Sequence, residues 1–405
     1  MPIPIRLLKI DSTHRALREL DQVGTGREAR ARLAAKMVSV RLWLGDVPTP
    51  VANILKQEML AAGGDAAVAN GAAACLEPTS PVILTGTLQQ IRRFARALRG
   101  QPLGLEVLGD RIVAFLTQVF RGEFIVKTRR GDLGFGARTL VMAVLNVTPD
   151  SFSDGGRFHD PEAAVDQGLR LAEEGADVID VGGESTRPGA RPVAVEEEID
   201  RVVPVIERLA SWLSIPISVD TTKVAVAAEA LRAGASVVNV VGALALDAEV
   251  ADVVAREEAA LVLMHMKGRP ETMVEEADYP RGVMAEVVEE LGEAITLAER
   301  RGVDRERIIV DPGLGFGKRA EHTLETLARL EELRSLGRPI LVGPSRKSFI
   351  GTLTGLGVQD RFSGTAAACV AAVLHGAHMV RVHEVASILP VLRVAEAIRD
   401  AGGRD

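Results

Sequence analysis

The sequence predicts an α/β chain: a (β/α)8 TIM barrel preceded by a smaller α/β N-terminal region. Three observations predict it. From Leu140 onward, eight short apolar segments alternate with longer helical stretches, the pattern of βαβ units around a parallel sheet. These segments are nearly continuous apolar runs, as expected of strands buried on both faces. Gly175, Gly234 and Gly302 stand where the intervening helices should end, in the position that favours a left-handed residue. Eight units fit a closed barrel, which takes roughly 250 residues. A chain of 405 residues therefore leaves room for a second unit ahead of it.

The expected organisation is residues 1–121 as the N-terminal α/β region, 122–139 as a linking hairpin that closes the barrel bottom, and 140–405 as the barrel. In the first region, SVRLWLG from Ser39 alternates like a strand. Pro48 and Pro50 precede the helical stretch VANILKQEMLAAGG, which Gly63 and Gly64 stop. PVILTG from Pro81 is a second strand, and Thr87 is placed to cap LQQIRRFARALRG. Ile91, Phe94, Ala95 and Leu98 form one apolar stripe of that helix, with Arg92, Arg93, Arg96 and Arg99 elsewhere on it. No nucleophile–base pair or metal cluster stands out here. FIVKTRRGDLGFGAR from Phe124 reads as two extended pieces joined around Arg129 to Asp132.

The barrel strands are expected at Leu140–Asn146, Asp177–Val181, Ile215–Asp220, Ser236–Val241, Ala260–His265, Arg307–Asp311, Pro339–Gly343 and His378–His383. Asp160 followed by Pro161 is a cap-then-first-turn start for the helix after the first strand.

Composition narrows the function. Aromatic residues make up 3% of the chain, which argues against base-stacking platforms for nucleic acid. Apolar runs fall short of the ~20 residues that span a bilayer, and the amino terminus lacks a secretory pattern. Cys75 and Cys369 match no metal or redox spacing, so a reducing cytoplasm is expected. Residues 1–138 hold 20 basic and 12 acidic side chains, a balance of +8 against −15 for the remainder.

The chemistry lies at the carboxyl ends of the strands. The first ends in Asn146 and TPDSFSDGG, and the second in Asp180 and GGESTRPGA. The third ends in Asp220, the fourth in Asn239, and the fifth in His265 and Lys267. The last three end in DPGLGFGK, GPSRKS and RVHE. In a (β/α)8 barrel these carboxyl ends share one mouth, where active sites are built. Arg187, Lys318, Arg346, Lys347 and Arg381, with glycine-rich loops, suit a phosphate-bearing substrate. Asn146, with nearby carboxylates, suits Mg2+. Asp220, Asn239 and Asp311 form a donor–acceptor set for a flat, nitrogen-rich ring, with Phe316 and Met264 placed to sandwich it. His265, between two methionines, reads as a core histidine. No cysteine lies near the mouth and no serine has an obvious His–Asp partner, so covalent catalysis is not expected.

LNVTPDSFSDGG, GGESTRPG, SVDT, DPGLGFGK, GPSRKSFIG and RVHEV, in this order and spacing, resemble the dihydropteroate synthase family. The resemblance covers Leu140 to about Ala401. It implies a homodimeric TIM-barrel transferase dependent on Mg2+. Such an enzyme joins 6-hydroxymethyl-7,8-dihydropterin diphosphate to para-aminobenzoate, releasing pyrophosphate and forming 7,8-dihydropteroate for folate synthesis. By the same resemblance Asn146 is the metal ligand, Thr186 and Arg187 help hold the substrates, and Asp220, Asn239, Asp311 and Lys347 bind the pterin. Arg381 and His383 anchor the diphosphate. Pro188, Phe316 and Ser345 border the para-aminobenzoate pocket. The stretches Thr148 to Phe158 and Ser185 to Pro192 resemble two loops that close over the substrates. Of these, Asp220, Asp311, Lys347, Arg381 and His383 are the expected catalytic set.

Two positions depart from the family pattern: Val240 replaces an Asp after Asn239, and Thr323 replaces an Asn after Lys318. Two other readings remain open from the sequence: a pterin-binding methyltransferase barrel, and a non-catalytic pterin-binding scaffold. Small-molecule substrates are expected rather than nucleic acid or membrane.

Overall fold

The structure, a computed structural model, describes residues 3–148, 161–185, 193–245, 247–269, 273 and 275–402. The chain divides into two compact units, Met1–Gly122 with Asp400–Asp405, and Glu123–Arg399.

The first unit contains α1 (Thr13–Gln22), α2 (Arg27–Met37), β1 (Ser39–Pro48), α3 (Thr49–Ala61), β2 (Asp65–Val68), β3 (Thr79–Thr87), α4 (Leu88–Ala97) and α5 (Leu105–Val119). The strands form an antiparallel sheet in the order β1-β3-β2. Alternation sends Val40, Leu42, Val82 and Leu84 into a core with Leu55, Met59, Ile91 and Phe94 of α3 and α4. Thr87 caps α4 in a reciprocal capping box with Gln90.

In the second unit a short hairpin, β4 (Phe124–Val126) and β5 (Leu133–Phe135), precedes the barrel. The barrel strands are β6 (Leu140–Asn146), β7 (Val178–Gly182), β8 (Ile217–Asp220), β9 (Val237–Val241), β10 (Ala260–Met264), β11 (Ile308–Asp311), β12 (Leu341–Val342) and β13 (Met379–Val382). Around them lie α6 (Pro161–Glu173), α7 (Val195–Trp212), α8 (Val224–Ala233), α9 (Val250–Arg256), α10 (Val283–Arg300), α11 (Ala320–Ala328), α12 (Ser348–Thr354), α13 (Phe362–Leu374) and α14 (Val385–Gly402). Every strand pair in this sheet is parallel, in the order β11-β10-β9-β8-β7-β6-β13-β12. A parallel bridge between Val310 and Ile340 joins the two ends of that order. The expected eight-stranded α/β barrel is therefore what forms. The seventh strand is reduced to two residues, with Ile340 before it forming an isolated bridge to Val310.

Strand parity decides what faces the barrel axis. Val141, Ala143, Ile179, Val181, Val219, Val240, Leu263, Val310 and Val382 point outward into the layer shared with the helices. Leu140, Met142, Val178, Val237, Ala260, Val262, Ile309, Leu341 and Met379 point inward. They pack against Phe124, Val126, Leu133 and Phe135 of the hairpin, which fills the amino-terminal end. Continuing the inward parity toward the carboxyl ends gives Asn146, Asp180, Asp220, Asn239, Asp311 and Arg381. The apolar half of the barrel is thus a plugged core, and the polar half is a mouth. Among the described residues no helix is long and apolar enough to cross a membrane.

Candidate active site

The centre of the mouth is an ion-pair cluster spread over β7, β8, β9 and β13. Arg381 Nε donates to Asp180 Oδ2 at 2.6 Å, and its Nη2 donates to Asp220 Oδ2 at 2.7 Å. Asn239 Nδ2 donates to the same Asp180 oxygen at 3.1 Å. Asp180 is fully buried. Its Oδ1, and Oδ1 of Asp220, have no hydrogen-bond partner among the described residues. A buried acceptor left unpaired costs about 1–3 kcal/mol, so the cluster offers acceptors to a ligand rather than satisfying itself. Burial raises Asp220 to about 7, against the opposing pull of Arg381.

Asp311, at the end of β11, accepts from the Gly313 backbone N–H at 2.7 Å. Burial raises its carboxyl to about 6, while that N–H and the cations Lys347, Arg381 and Lys318 hold it down. Gly343 leaves the space between Asp311 and Arg381 open, since a Cβ there would lie 3.8 Å from Arg381 Cβ and 4.0 Å from Asp311 Oδ2. Lys347, at the N-cap of α12, places its ammonium 3.8 Å from the centroid of the Phe316 ring. Loss of hydration, with Arg381 nearby, pulls Lys347 down to about 7. Phe316 in turn packs on Val241, Met264, Met266 and Met273, which gives the mouth an apolar wall.

The loop after β11 is held in one shape. Gly313 has φ +64°, and a Cβ there would meet the His265 carbonyl oxygen at 1.8 Å, so only glycine fits. Tyr279 Oη donates to the Gly317 carbonyl at 2.8 Å. On the other side of the mouth, Ser345 Oγ lies 2.9 Å from His383 Nδ1.

Of the sequence-predicted residues, Asp220, Asn239, Asp311, Lys347, Phe316, Ser345, Arg381, His383 and Asn146 all lie on the carboxyl-end mouth of the barrel. Thr186, Arg187 and Pro188, with most of the two expected closing loops, lie outside the described residues. Of the expected phosphate-facing cations, Arg381 carries the two carboxylate pairs above, and two more have other occupations. Arg346 is paired with Glu384, and Lys318 is buried against His265. Asp180 was not among the expected contacts. Its signal is nonetheless present: a carboxylate in an otherwise apolar strand, two residues after Val178, which faces inward. Val240 points into the helix layer, so that departure lies behind the site. Thr323 is buried on α11 with no partner for its hydroxyl among the described residues.

The Pterin binding enzyme family pattern matches residues 142–383. A dihydropteroate synthase of Synechocystis sp. is 44% identical over 265 residues, covering 65% of this chain and 91% of the relative. A probable bifunctional folylpolyglutamate synthase/dihydropteroate synthase of Haloferax volcanii is 40% identical over 96% of this chain, so its match extends across the N-terminal unit. This chain spans 48% of that relative's length. Among solved structures, Xanthomonas albilineans dihydropteroate synthase with 4-aminobenzoic acid superposes with a TM-score of 0.62 at 48% identity, covering 66% of this chain and 95% of that one. These relatives are synthases rather than methyltransferases or scaffolds. With a matched pattern from the first barrel strand to the last and a mouth built of buried carboxylates and paired cations, the chain belongs to the pterin-binding enzymes and, among them, to the dihydropteroate synthases.

Proposed function

We propose that Asp220, Asn239, Asp311 and Lys347 hold the pterin of 6-hydroxymethyl-7,8-dihydropterin diphosphate, and that Arg381 and His383 hold its diphosphate while para-aminobenzoate attacks. The observation that carries this reading is the pair of unpartnered carboxylate oxygens in a buried cluster. A pterin edge presents the N–H donors that satisfy them, and the Phe316–Met264 wall takes the ring face. Ser345, beside His383, borders the para-aminobenzoate subsite. By family resemblance Pro188 also borders it, and Thr186 and Arg187 help hold the substrates.

The reaction is a substitution at the exocyclic methylene. The C–O bond breaks with its electron pair leaving on the diphosphate, and the arylamine nitrogen forms the new C–N bond. The resulting arylammonium is acidic enough to release its proton without a protein base. Asp220 and Asp311 orient the ring and disperse the positive charge that develops on it. Arg381 and His383 stabilise the departing anion.

Asn146 fits Mg2+. Its side chain is half-buried at the mouth, beside Gly182. Among the described residues no group of three or more His, Cys, Asp or Glu side chains could cage an ion. The one hard oxygen of Asn146 would suit an ion that takes its remaining ligands from substrate phosphates and water. When bound, Mg2+ neutralises diphosphate charge.

Binding of a 6-hydroxymethylpterin that lacks the diphosphate tests the ring assignment. Asp220→Asn is expected to weaken it by about tenfold, the worth of one charge-assisted hydrogen bond. Equal affinity for the two proteins contradicts the assignment.

A further inference from the structure

The loops after the last two barrel strands are braced to each other by side chains. The backbone ladder between β12 and β13 runs through two pairs, Leu341–Met379 and Val342–Val380. Beyond it, two side-chain rungs join GPSRKS to RVHE. In the first, Ser345 Oγ accepts from the His383 backbone N–H at 3.4 Å and lies 2.9 Å from His383 Nδ1. The second uses the next residue on each loop: Arg346 Nε donates to Glu384 Oε1 at 2.8 Å, and Nη2 donates to the same oxygen. Arg346 holds a left-handed backbone, φ +58°, which a residue other than glycine keeps only where its surroundings enforce it. Three contacts enforce it here. The Arg346 N–H donates to Thr365 Oγ1 of α13 at 3.1 Å, the Arg346 carbonyl accepts from Arg361 Nη1 at 3.1 Å, and Glu384 holds the guanidinium. Arg361 Nη1 also donates to the Lys347 carbonyl at 3.4 Å. The turn is thus fixed up to the residue whose ammonium stands over Phe316.

We infer that Glu384, acting through Arg346, is a positioning residue for the site: it locks the strained turn that aims Lys347 into the mouth and keeps His383 against that turn. The inference rests on the pterin and diphosphate roles proposed for Lys347 and His383. Arg346 stands between Ser345 and Lys347, and Glu384 directly follows His383, so one rung joins the two proposed subsites. The Arg346 and Glu384 side chains are both 28% exposed, and an ion pair that water reaches adds little to stability. Its effect is on geometry. Without the pair, the Arg346 backbone is free to relax toward the ordinary right-handed region, and Lys347 turns with it, which costs affinity through misplacement. Two nitrogens of the Arg346 guanidinium are committed to Glu384, so this cation acts as a brace.

The test is calorimetric binding of two probes to the full chain, 6-hydroxymethylpterin for the Lys347 side and pyrophosphate for the His383 side. The proteins are wild type, Glu384→Gln, Arg346→Met, Arg346→Lys and the Glu384→Gln/Arg346→Met double variant. Glu384→Gln and Arg346→Met are each expected to weaken both probes by about fivefold. Arg346→Lys, which keeps one charged donor for Glu384, is expected to recover most of that loss. The double variant is expected to bind no more weakly than either single one, because the two side chains act as a unit. Wild-type affinity for both probes in Glu384→Gln, or losses that add in the double variant, overturn the inference. Tighter pyrophosphate binding in Glu384→Gln also overturns it, since the released arginine would then be a diphosphate ligand in its own right. Lys347→Met and His383→Ala are the controls: wild-type pterin affinity in the first, or wild-type pyrophosphate affinity in the second, instead contradicts the roles on which the inference rests. Thermal melting of Glu384→Gln within about 2 °C of wild type separates misplacement from loss of fold.

Discussion

Arg381 Nε donates to Asp180 Oδ2 at 2.6 Å, and so reaches past β6 from β13 to β7. Asp180 itself is fully buried, and the arginine's other arm is on Asp220. One guanidinium thus fixes two carboxylates whose remaining oxygens have no hydrogen-bond partner among the described residues.

Removing the Asp180 charge should be felt in both stability and substrate handling. Asp180→Asn is expected to destabilise the fold by about 2 kcal/mol, less than a lone buried pair because Asp220 still partners Arg381. It is expected to lower kcat/KM for the pterin diphosphate by at least about tenfold, since Arg381 loses its fixed direction. Thermal melting and steady-state kinetics measure the two effects, and an Asn variant unchanged in both would exclude this role.

The raised carboxyls set a pH dependence. Asp311 at about 6 and Asp220 at about 7 must be ionised to accept from the ring. As pH falls through that range, protons occupy the acceptor oxygens and substrate capture declines. The acid limb of kcat/KM is expected between pH 6 and 7, as a property of the coupled set rather than of either residue. A profile flat down to pH 5 would show that neither carboxylate is needed in its charged form.

Phe316 lies under the Lys347 ammonium at 3.8 Å. Phe316→Leu keeps an apolar wall but removes the ring face. The expected loss is about 1 kcal/mol, or about fivefold in substrate KM, with Lys347 less firmly placed. Unchanged KM values for both substrates would remove Phe316 from the pocket.

Gly313 allows a direct structural check. With φ +64° and the His265 carbonyl oxygen 1.8 Å from any Cβ, Gly313→Ala must move the loop that presents Asp311. It is expected to cost more than about 2 kcal/mol and to abolish most activity. A fully active, equally stable Ala variant would contradict the loop geometry.

The barrel is legible in the sequence because its signal is redundant. Each strand is a short apolar run ended by a polar residue, and eight such runs in phase admit few other folds. The mouth is legible for the same reason, since inward parity carries Asp220, Asn239, Asp311 and Arg381 to one side. Partner choice among buried charges is not. Nothing in GPSRKS says that Arg346 turns to Glu384, or in DPGLGFGK that Lys318 turns to His265, because those pairings depend on elements distant in sequence. In the N-terminal unit α2 carries no comparably clear signal. α2, REARARLAAKM, spreads its alanines and charges around the helix and buries only Ala34, so it lacks the one-sided stripe that marks α4.

The most direct measurement mixes the full chain with Mg2+, 6-hydroxymethyl-7,8-dihydropterin diphosphate and para-aminobenzoate, and monitors pyrophosphate and 7,8-dihydropteroate together. The expected result is equimolar formation of both, lost when para-aminobenzoate is omitted and strongly reduced in Arg381→Met. No pyrophosphate above background with the complete mixture, or pyrophosphate without dihydropteroate, would contradict a dihydropteroate synthase.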